Sequence, residues 1–237
     1  MFRGDPVSEI ESIDRCAELA ALARLLSLGF GPPDGETLEE MAAIARGLGA
    51  RDESREPVSA LLEALEGASS GELAGEFVRL FDGEVRCPPY EGSYEADPFR
   101  HARQMADVAG FYRAFGAQVS GERPDHAGAE LEFLSFLSAR RVAALAEGGG
   151  DAEEVCAKAE DSFLLDHLGR WFPAFCRKVT AETSSPFYAA LALLGERVVR
   201  RELARRGLRP EPLGKRVTWA VEGDAVECGG PPIVAQA

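Results

Sequence analysis

Residues 122–137 read Glu122-Arg-Pro-Asp-His-Ala-Gly-Ala-Glu-Leu-Glu-Phe-Leu-Ser-Phe-Leu137, and this stretch places Pro-Asp-His at the start of a strongly apolar segment. Proline is disfavoured inside a helix but fits just ahead of one, and aspartate is a good N-cap, so Pro124 and Asp125 predict a helix start. His126 then lies in the first turn, and Glu130 lies four residues later on the same helix face. An ordinary capped helix start would show the same pattern.

The helix behind this start is predicted to be buried. Its apolar residues recur at the 3, 4, 7 spacing of a core-facing stripe, at Phe133, Leu134 and Leu137. The segment therefore predicts a core helix that holds a charged cluster at its mouth.

A second segment reads Glu76-Phe-Val-Arg-Leu-Phe-Asp-Gly-Glu-Val-Arg-Cys-Pro-Pro-Tyr-Glu-Gly-Ser-Tyr94. An amphipathic helix is predicted to end near Asp82-Gly83, and Pro88-Pro89 predicts a stiff, polyproline-like loop. Such a loop leaves its backbone unpaired and presents side chains, here Tyr90, Glu91 and Tyr94. The apolar residues of the preceding helix are more often core than groove wall at their spacing: Phe77, Leu80 and Phe81.

The rest of the chain reads as helix after helix, with breaks marked by glycine or proline. Helical patterns occupy residues 8–29, 36–47, 56–66, 71–82, 99–116, 126–146, 151–166, 167–180 and 184–206. One short strand is predicted at 216–222, where β-branched residues alternate. These patterns predict an all-α, single-domain helical bundle of about nine or more helices over residues 1–206. An irregular, loosely attached C-terminal tail is predicted over residues 207–237.

Composition limits the class of protein. The chain has 237 residues, and its sequence contains no apolar stretch of about 18 residues and no signal-peptide pattern. A soluble, cytoplasmic protein without stable membrane insertion is therefore expected. The five cysteines are odd in number and scattered, which argues against a disulfide framework and against a zinc ribbon.

Charge is distributed unevenly along the chain. The net charge is −12 over residues 1–100, −5 over residues 101–170 and +3 over residues 171–237, which gives −14 in total. An acidic protein repels phosphate backbones and attracts basic peptides, so no nucleic-acid partner is expected. The acidity could equally serve solubility alone. A run of arginines in the last helix is predicted to form a solvated face: Arg197, Arg200, Arg201, Arg205 and Arg206.

Catalysis has little support in the sequence. The three histidines, His101, His126 and His167, lack metal-ligand spacing, so neither a metal nor a cofactor is expected. Serine-nucleophile and phosphate-binding glycine motifs are missing, and the protein is predicted not to be an enzyme. Two alternatives stay open: an all-α regulatory protein that binds a small ligand, and an enzyme that uses Asp125, His126 and Glu130 as an acid–base cluster.

The two quoted segments, in this order, resemble the TorD/DmsD/NarJ family of cytoplasmic redox-enzyme maturation chaperones. In that family a helix ending in Leu-Phe plus Gly leads to a Pro-x-Tyr-Glu loop, and an acid-x-Pro-Asp-His motif opens a core helix. Gly110-Phe-Tyr-Arg-Ala-Phe115 and His167-Leu-Gly-Arg-Trp-Phe-Pro173 are similar to the family as well. The resemblance covers roughly residues 15–205 and is closest to the chaperones of type II dimethyl sulfoxide reductase-like molybdoenzymes.

The resemblance implies a system-specific chaperone that binds the twin-arginine signal peptide of a molybdenum-cofactor oxidoreductase subunit. Such a chaperone assists the folding, cofactor insertion and assembly of that subunit before export. The expected partner is thus the catalytic subunit preprotein, and a homodimer is compatible with the fold. The family's peptide-binding positions correspond in this chain to Pro124, Asp125, His126, Tyr90 and Glu91.

Carboxylates accept arginine forks in bidentate fashion, so acids in the two segments are the expected arginine acceptors: Asp125, Glu130, Glu91 and Glu122. Tyr90 and Tyr94 are expected to supply an aromatic wall. Trp171 is a candidate lip of the groove, although a half-buried tryptophan at a helix junction is the commoner arrangement. The sequence departs from some members of the family because it has no tryptophan near the Pro-Pro loop, which leaves the anchor of the signal peptide open.

Overall fold

The computed structural model describes residues 6–48, 55–119 and 121–213. These residues form nine α-helices and no strand, which confirms the all-α prediction. The helices are α1 (Pro6–Gly29), α2 (Gly35–Leu48), α3 (Arg55–Glu66), α4 (Ser70–Phe81), α5 (Pro98–Ala114), α6 (Ala127–Ala146), α7 (Asp151–Phe163), α8 (Gly169–Glu182) and α9 (Pro186–Arg206). A 3-10 turn spans Glu91–Tyr94, between α4 and α5. Within the described ranges, no helix is long and apolar enough to cross a membrane.

The core is built around α1, which packs along α6, and around α8, which packs along α9. A set of fully buried aromatic side chains fills the space between α1, α8 and α9: Phe30, Trp171, Phe172, Phe175, Phe187 and Tyr188. The predicted stripe of α6, Phe133, Leu134 and Leu137, is buried as expected. The mouth of α6 is therefore fixed on a rigid support.

The predicted break between residues 166 and 167 is a π-turn instead. Residues Leu164–Leu168 widen the helix by one residue, and α7 continues through this turn into α8, so the nine helices form eight separate rods. π-turns inside α-helices are frequent at functional sites. This one carries His167, whose side chain is buried.

The start of the predicted tail is attached to the bundle. Gly207 ends α9 in a left-handed conformation with φ of 67°. The Leu213 amide then donates to the Arg170 carbonyl at 3.1 Å, and Arg170 Nε donates to the Glu211 carbonyl at 3.0 Å. Residues 207–213 thus lie against α8. The rest of the predicted tail, with the predicted strand at 216–222, lies outside the described residues.

The arginine run of α9 is only in part the predicted solvated face. Arg206 has 9% of its side chain exposed and contacts two buried carboxylates, Glu160 at 2.9 Å and Glu202 at 3.3 Å. Arg197 and Arg200 are exposed. The prediction is wrong for Arg206 because acids of α7 and α9, far apart in the sequence, converge on its side chain.

Candidate functional site

Two loops that lie far apart in the sequence meet at the start of α6. The Glu91 amide donates to the Asp125 carbonyl at 2.9 Å, and Tyr90 and His126 form an antiparallel bridge. The Pro-Pro-Tyr-Glu loop and the Pro-Asp-His helix start, which the sequence singles out separately, therefore form one unit.

The Asp125 carboxylate is buried, with 1% of the residue exposed. Arg123 binds it with both arms of its fork, since Nε lies 3.0 Å from Oδ1 and Nη2 lies 2.7 Å from Oδ2. The Gly92 amide donates to Oδ2 at 3.1 Å. The predicted capping role of Asp125 is wrong, because its carboxylate accepts from Arg123 and Gly92 instead of from the first amides of α6.

His126 is the N-cap of α6. Its Nδ1 accepts a hydrogen bond from the Gly128 amide at 3.0 Å, and because an amide N–H can only donate, Nδ1 carries no proton. Burial lowers the pKa of His126, although the neighbouring charges of Glu122 and Asp125 oppose this shift. The effect of burial on the pKa of His126 therefore outweighs that of the nearby acids, which alone would raise it.

Glu91 is fully buried behind the bridge. Its Oε2 lies 3.1 Å from Nδ1 of His167, which the π-turn carries. Oε1 of Glu91 has no hydrogen-bond partner among the described residues. Glu91 therefore ties the loop to the π-turn, and its carboxylate is closed to a solvent-borne arginine in this conformation.

Glu130 is also fully buried, and its Oε2 accepts from the indole Nε1 of Trp171 at 3.0 Å. Burial, followed by the nearby charge of Glu91, raises the pKa of Glu130 well above its ordinary value. A carboxyl group in such surroundings favours its neutral form, which has less need of a cation than the charged form has. The predicted role of Glu130 as an arginine acceptor is therefore not available to it here. Glu91, Asp125, Glu130 and His167 are called the loop cluster below.

Trp171 is fully buried, so the prediction that it forms a peptide-facing lip is wrong. Its ring packs against Tyr94 at a centroid distance of 5.4 Å. Tyr94 is half-buried, and its hydroxyl has no hydrogen-bond partner among the described residues. Leu80 and Phe81 lie in the core, as their spacing favours. These apolar residues support the loop from behind.

Tyr90 and Pro124 lie at the outer side of the unit, and both are half-buried. The Tyr90 hydroxyl donates to Glu122 at 3.3 Å, and the guanidinium of Arg123 lies 4.3 Å from the centre of the Tyr90 ring. The Pro124 carbonyl accepts from the Tyr112 hydroxyl at 2.7 Å. Of the four predicted acids, Glu122 alone is exposed.

A groove of about 740 Å³ opens beside His126. Its larger apolar lining side chains are Tyr112, Val119, Phe133 and Phe136. Two exposed acids, Glu122 and Glu132, also line it. The groove thus joins an apolar surface to carboxylates next to the Pro-Asp-His unit.

Sequence reasoning missed Arg123, His101 and the groove. Arg123 could have been noticed, because it lies two residues before Asp125 within the motif itself. The groove left no sequence signal, since its lining comes from the end of α1, the α5–α6 connection and α6. His101 reaches the site from α5, and nothing around it in the sequence marks that position.

Comparisons with known proteins identify the family of the chain. The family described as nitrate reductase delta subunit matches residues 49–177. The selenate reductase assembly chaperone protein of Thauera selenatis is 35% identical over 149 residues, which cover 60% of this chain and 75% of the relative. The perchlorate reductase assembly chaperone protein of Dechloromonas aromatica (strain RCB) is 28% identical over 209 residues, which cover 80% of this chain and 90% of the relative.

Among solved structures, a candidate redox enzyme maturation protein from Archaeoglobus fulgidus has the same fold, with a TM-score of 0.53 and 24% identity over 78% of this chain and 93% of that one. The family and the named relatives are chaperones and maturation proteins, which rejects the alternative of an enzyme with an acid–base cluster. The chain belongs to the nitrate reductase delta subunit family, that is, to the TorD/DmsD/NarJ family of redox-enzyme maturation chaperones.

Proposed function

We propose that the protein is a cytoplasmic chaperone that binds the twin-arginine signal peptide of the catalytic subunit of a molybdenum-dependent oxidoreductase. It would hold this preprotein while the subunit folds, receives its cofactor and assembles before export. Family membership and the reductase chaperones among its relatives support this proposal. The observation that carries it is the groove beside His126, whose lining is apolar and also contains two exposed acids.

The groove has the chemistry that such a peptide requires. A twin-arginine signal peptide combines adjacent guanidinium groups with an apolar run, so its receptor needs carboxylates next to an apolar surface. Phe136, which stacks on the buried Phe133 at a centroid distance of 6.2 Å, offers that surface. Glu122 and Glu132 are exposed and lie within the same lining, Glu132 already pairing with Arg24 at 3.1 Å, so the two requirements meet in one place.

The predicted binding residues take two kinds of role in this proposal. Tyr90, Pro124 and His126 lie at or next to the groove, where a bound peptide would touch them. A second set holds the loop in position without touching the peptide: the buried Glu91, Glu130 and Trp171, and the half-buried Tyr94 that packs on Trp171. Asp125 belongs between the two sets, because Arg123 covers its carboxylate.

Titration of a labelled signal-type peptide tests the proposal. The peptide carries two adjacent arginines before an apolar run, and a second peptide replaces both arginines by glutamine. We expect the twin-arginine peptide to bind more tightly, because the acids of the site favour it. Equal affinity for the two peptides would remove the carboxylate role, and no binding of either would overturn the proposal.

Two substitutions locate the peptide on the protein. Phe136→Ser should weaken binding by about tenfold, because it removes part of the apolar lining. Leu193→Ser is the matched control, since Leu193 is an exposed apolar residue on α9 outside this groove. Glu122→Gln should weaken binding of the twin-arginine peptide, whereas Glu39→Gln, at an exposed acid of α2, should not. Equal losses from a substitution and its control would place the peptide elsewhere.

A further inference from the structure

Arg123 pairs with the carboxylate of Asp125, to which an arginine of the bound signal peptide (a client arginine) would otherwise bind. Its fork meets Asp125 in bidentate geometry at 3.0 and 2.7 Å, which is the arrangement by which carboxylates bind arginine most strongly. Oδ2 of Asp125 also accepts from the Gly92 amide. An incoming guanidinium therefore cannot pair with Asp125 in the same way unless Arg123 leaves.

The surroundings of Arg123 form a complete cradle for one guanidinium group. The Tyr90 ring lies 4.3 Å from its central carbon, at the distance of a cation–π contact. His101 Nε2 lies 2.8 Å from Nη2, and since a guanidinium only donates, this ring nitrogen must accept. The His101 ring is packed on Gly92 so closely that an added Cβ there would lie 2.0 Å from it. A carboxylate, an aromatic face and an imidazole acceptor thus converge on a single fork.

We propose that Arg123 is an internal stand-in for a client arginine, which fills this cradle in the free chaperone and is displaced when the signal peptide binds. This inference rests on the proposed function. It makes Arg123 a residue that sets both the affinity and the specificity of the site. A client arginine can replace it contact for contact, whereas a lysine lacks the planar fork and cannot.

Displacement is physically inexpensive because the two members of the pair differ in exposure. The Arg123 side chain is 40% exposed, whereas that of Asp125 is 1% exposed. Arg123 can therefore swing its charged head into water, and the client arginine then compensates the buried carboxylate. One bidentate pair replaces another, so the exchange itself gains little, and the net affinity must come from the apolar part of the peptide in the groove. Because Arg123 competes for Asp125, it excludes basic peptides whose apolar part binds the groove only weakly.

The test measures the affinity of the twin-arginine and twin-glutamine peptides for the parent protein, Arg123→Gln and Arg123→Lys. Arg123→Gln should bind the twin-arginine peptide about tenfold more tightly, because the competitor is gone. Its affinity for the twin-glutamine peptide should stay within about twofold of the parent. The affinity of Arg123→Lys for the twin-arginine peptide should lie between those of the parent and Arg123→Gln, since an ammonium group competes for Asp125 but cannot bind it in bidentate fashion. Arg113→Gln, at an exposed arginine of α5, controls for the loss of one positive charge.

A second variant covers the case in which Arg123→Gln does not fold, because it leaves the Asp125 carboxylate without its cation. Arg123→Gln/Asp125→Asn removes both partners, so no charge is orphaned. In this double variant the preference for the twin-arginine over the twin-glutamine peptide should fall at least fivefold below that of the parent. A preference equal to the parent's would show that Asp125 receives no client arginine, which overturns the inference.

The failure of this inference is distinguishable from failure of the proposed function. If the parent protein binds neither peptide, the proposed function fails. If the parent binds the twin-arginine peptide and the folded Arg123→Gln variant binds it equally or more weakly, the displacement fails while peptide binding stands.

Discussion

The protein contains two clusters of buried charge that are built differently. In the first, here the α9 cluster (Arg141, Glu160, Glu202 and Arg206), Glu160 accepts from Arg141 at 3.0 Å, from Arg206 at 2.9 Å and from the Ser138 hydroxyl at 2.7 Å. In the loop cluster, by contrast, two carboxylate oxygens have no hydrogen-bond partner among the described residues, Oε1 of Glu91 and Oε1 of Glu130. Within the same part of the chain, Nε2 of His167 has only Oδ2 of Asp107 beside it, at 3.5 Å.

This difference distinguishes a cluster that holds helices together from a cluster that lies at a candidate binding site. Buried polar groups are nearly always satisfied in native proteins, and a group that is not satisfied costs free energy that the fold has to tolerate. The α9 cluster joins α6, α7 and α9 through paired charges, which is what a clamp requires. The loop cluster leaves atoms unpaired beneath a loop that carries Tyr90 and is closed by an exchangeable arginine. Charge burial alone therefore does not indicate function, whereas incomplete pairing beside a groove does.

The largest effect is expected in the α9 cluster. Arg206→Met removes the cation shared by Glu160 and Glu202, although Glu160 keeps Arg141 and Glu202 keeps Arg205. Breaking a buried ion pair from one side costs about 3–5 kcal/mol, and since these partners stay, the free energy of unfolding should fall by about 3 kcal/mol in urea titrations. Arg200→Met is the control, because the Arg200 side chain is 59% exposed and its partner Glu196 keeps Arg177, so this change should cost about 0–1 kcal/mol. Equal losses would show that the cluster does not clamp the helices.

A smaller effect is expected at Glu130 in the loop cluster. Glu130→Leu leaves the indole N–H of Trp171 buried without an acceptor, which should cost about 1–3 kcal/mol of unfolding free energy. Glu130→Gln keeps an acceptor and should cost less. A loss as large for glutamine as for leucine would mean that Glu130 is charged and paired in the native state.

A comparison of the parent protein with Glu130→Gln also tests the raised pKa of Glu130. The unfolded chain releases this proton near pH 4.5, whereas the folded chain keeps it to higher pH. The parent therefore loses stability as pH rises from about 4.5 toward the folded pKa, and Glu130→Gln does not. The stability of Glu130→Gln relative to the parent should thus increase between pH 5 and pH 8 in urea titrations. A difference that is constant with pH would contradict the raised pKa.

The fold could be predicted from the sequence because its helices are marked locally. Apolar periodicity places α6, and glycine or proline marks the ends of most helices within one or two residues. The continuity of α7 and α8 could not be predicted in this way. A π-turn keeps the helix running through residues 164–168, and its hydrogen bonds depend on packing that short-range patterns do not encode.

The acids of the candidate site could be predicted from the sequence, but their roles and the contributions of Arg123, His101 and the groove could not. The sequence marks Asp125, Glu91 and Glu130 as acids, and acids near a helix start suggest arginine acceptors. Which of them is exposed depends on side chains that arrive from α5, the π-turn and α8. His167 and Trp171 come from more than 35 residues away along the chain and bury Glu91 and Glu130. Long-range packing therefore decides that only part of the acidic cluster can meet a peptide.

The smallest loss of stability is expected at His126, which caps α6 and lines the groove. His126→Ala removes the acceptor of the Gly128 amide and should cost about 0.5–2 kcal/mol, whereas His126→Asn should cost less because asparagine also caps. The lowered pKa adds a pH dependence of known sign. Below about pH 6.5 the unfolded chain takes up a proton that the folded chain refuses, so the parent should lose stability as pH falls, and His126→Asn should lack this slope.

A matched cap elsewhere separates the stability of His126 from its place in the site. Ser69 caps α4 through a reciprocal pair of hydrogen bonds with Glu72, away from the groove lining. Ser69→Ala should lower the melting temperature about as much as His126→Ala, because each removes one helix cap. Only His126→Ala should also weaken binding of the twin-arginine peptide, since the His126 ring contacts Tyr90 and lines the groove. If both variants bind the peptide like the parent, His126 is a helix cap and no more, and the peptide lies further along α6.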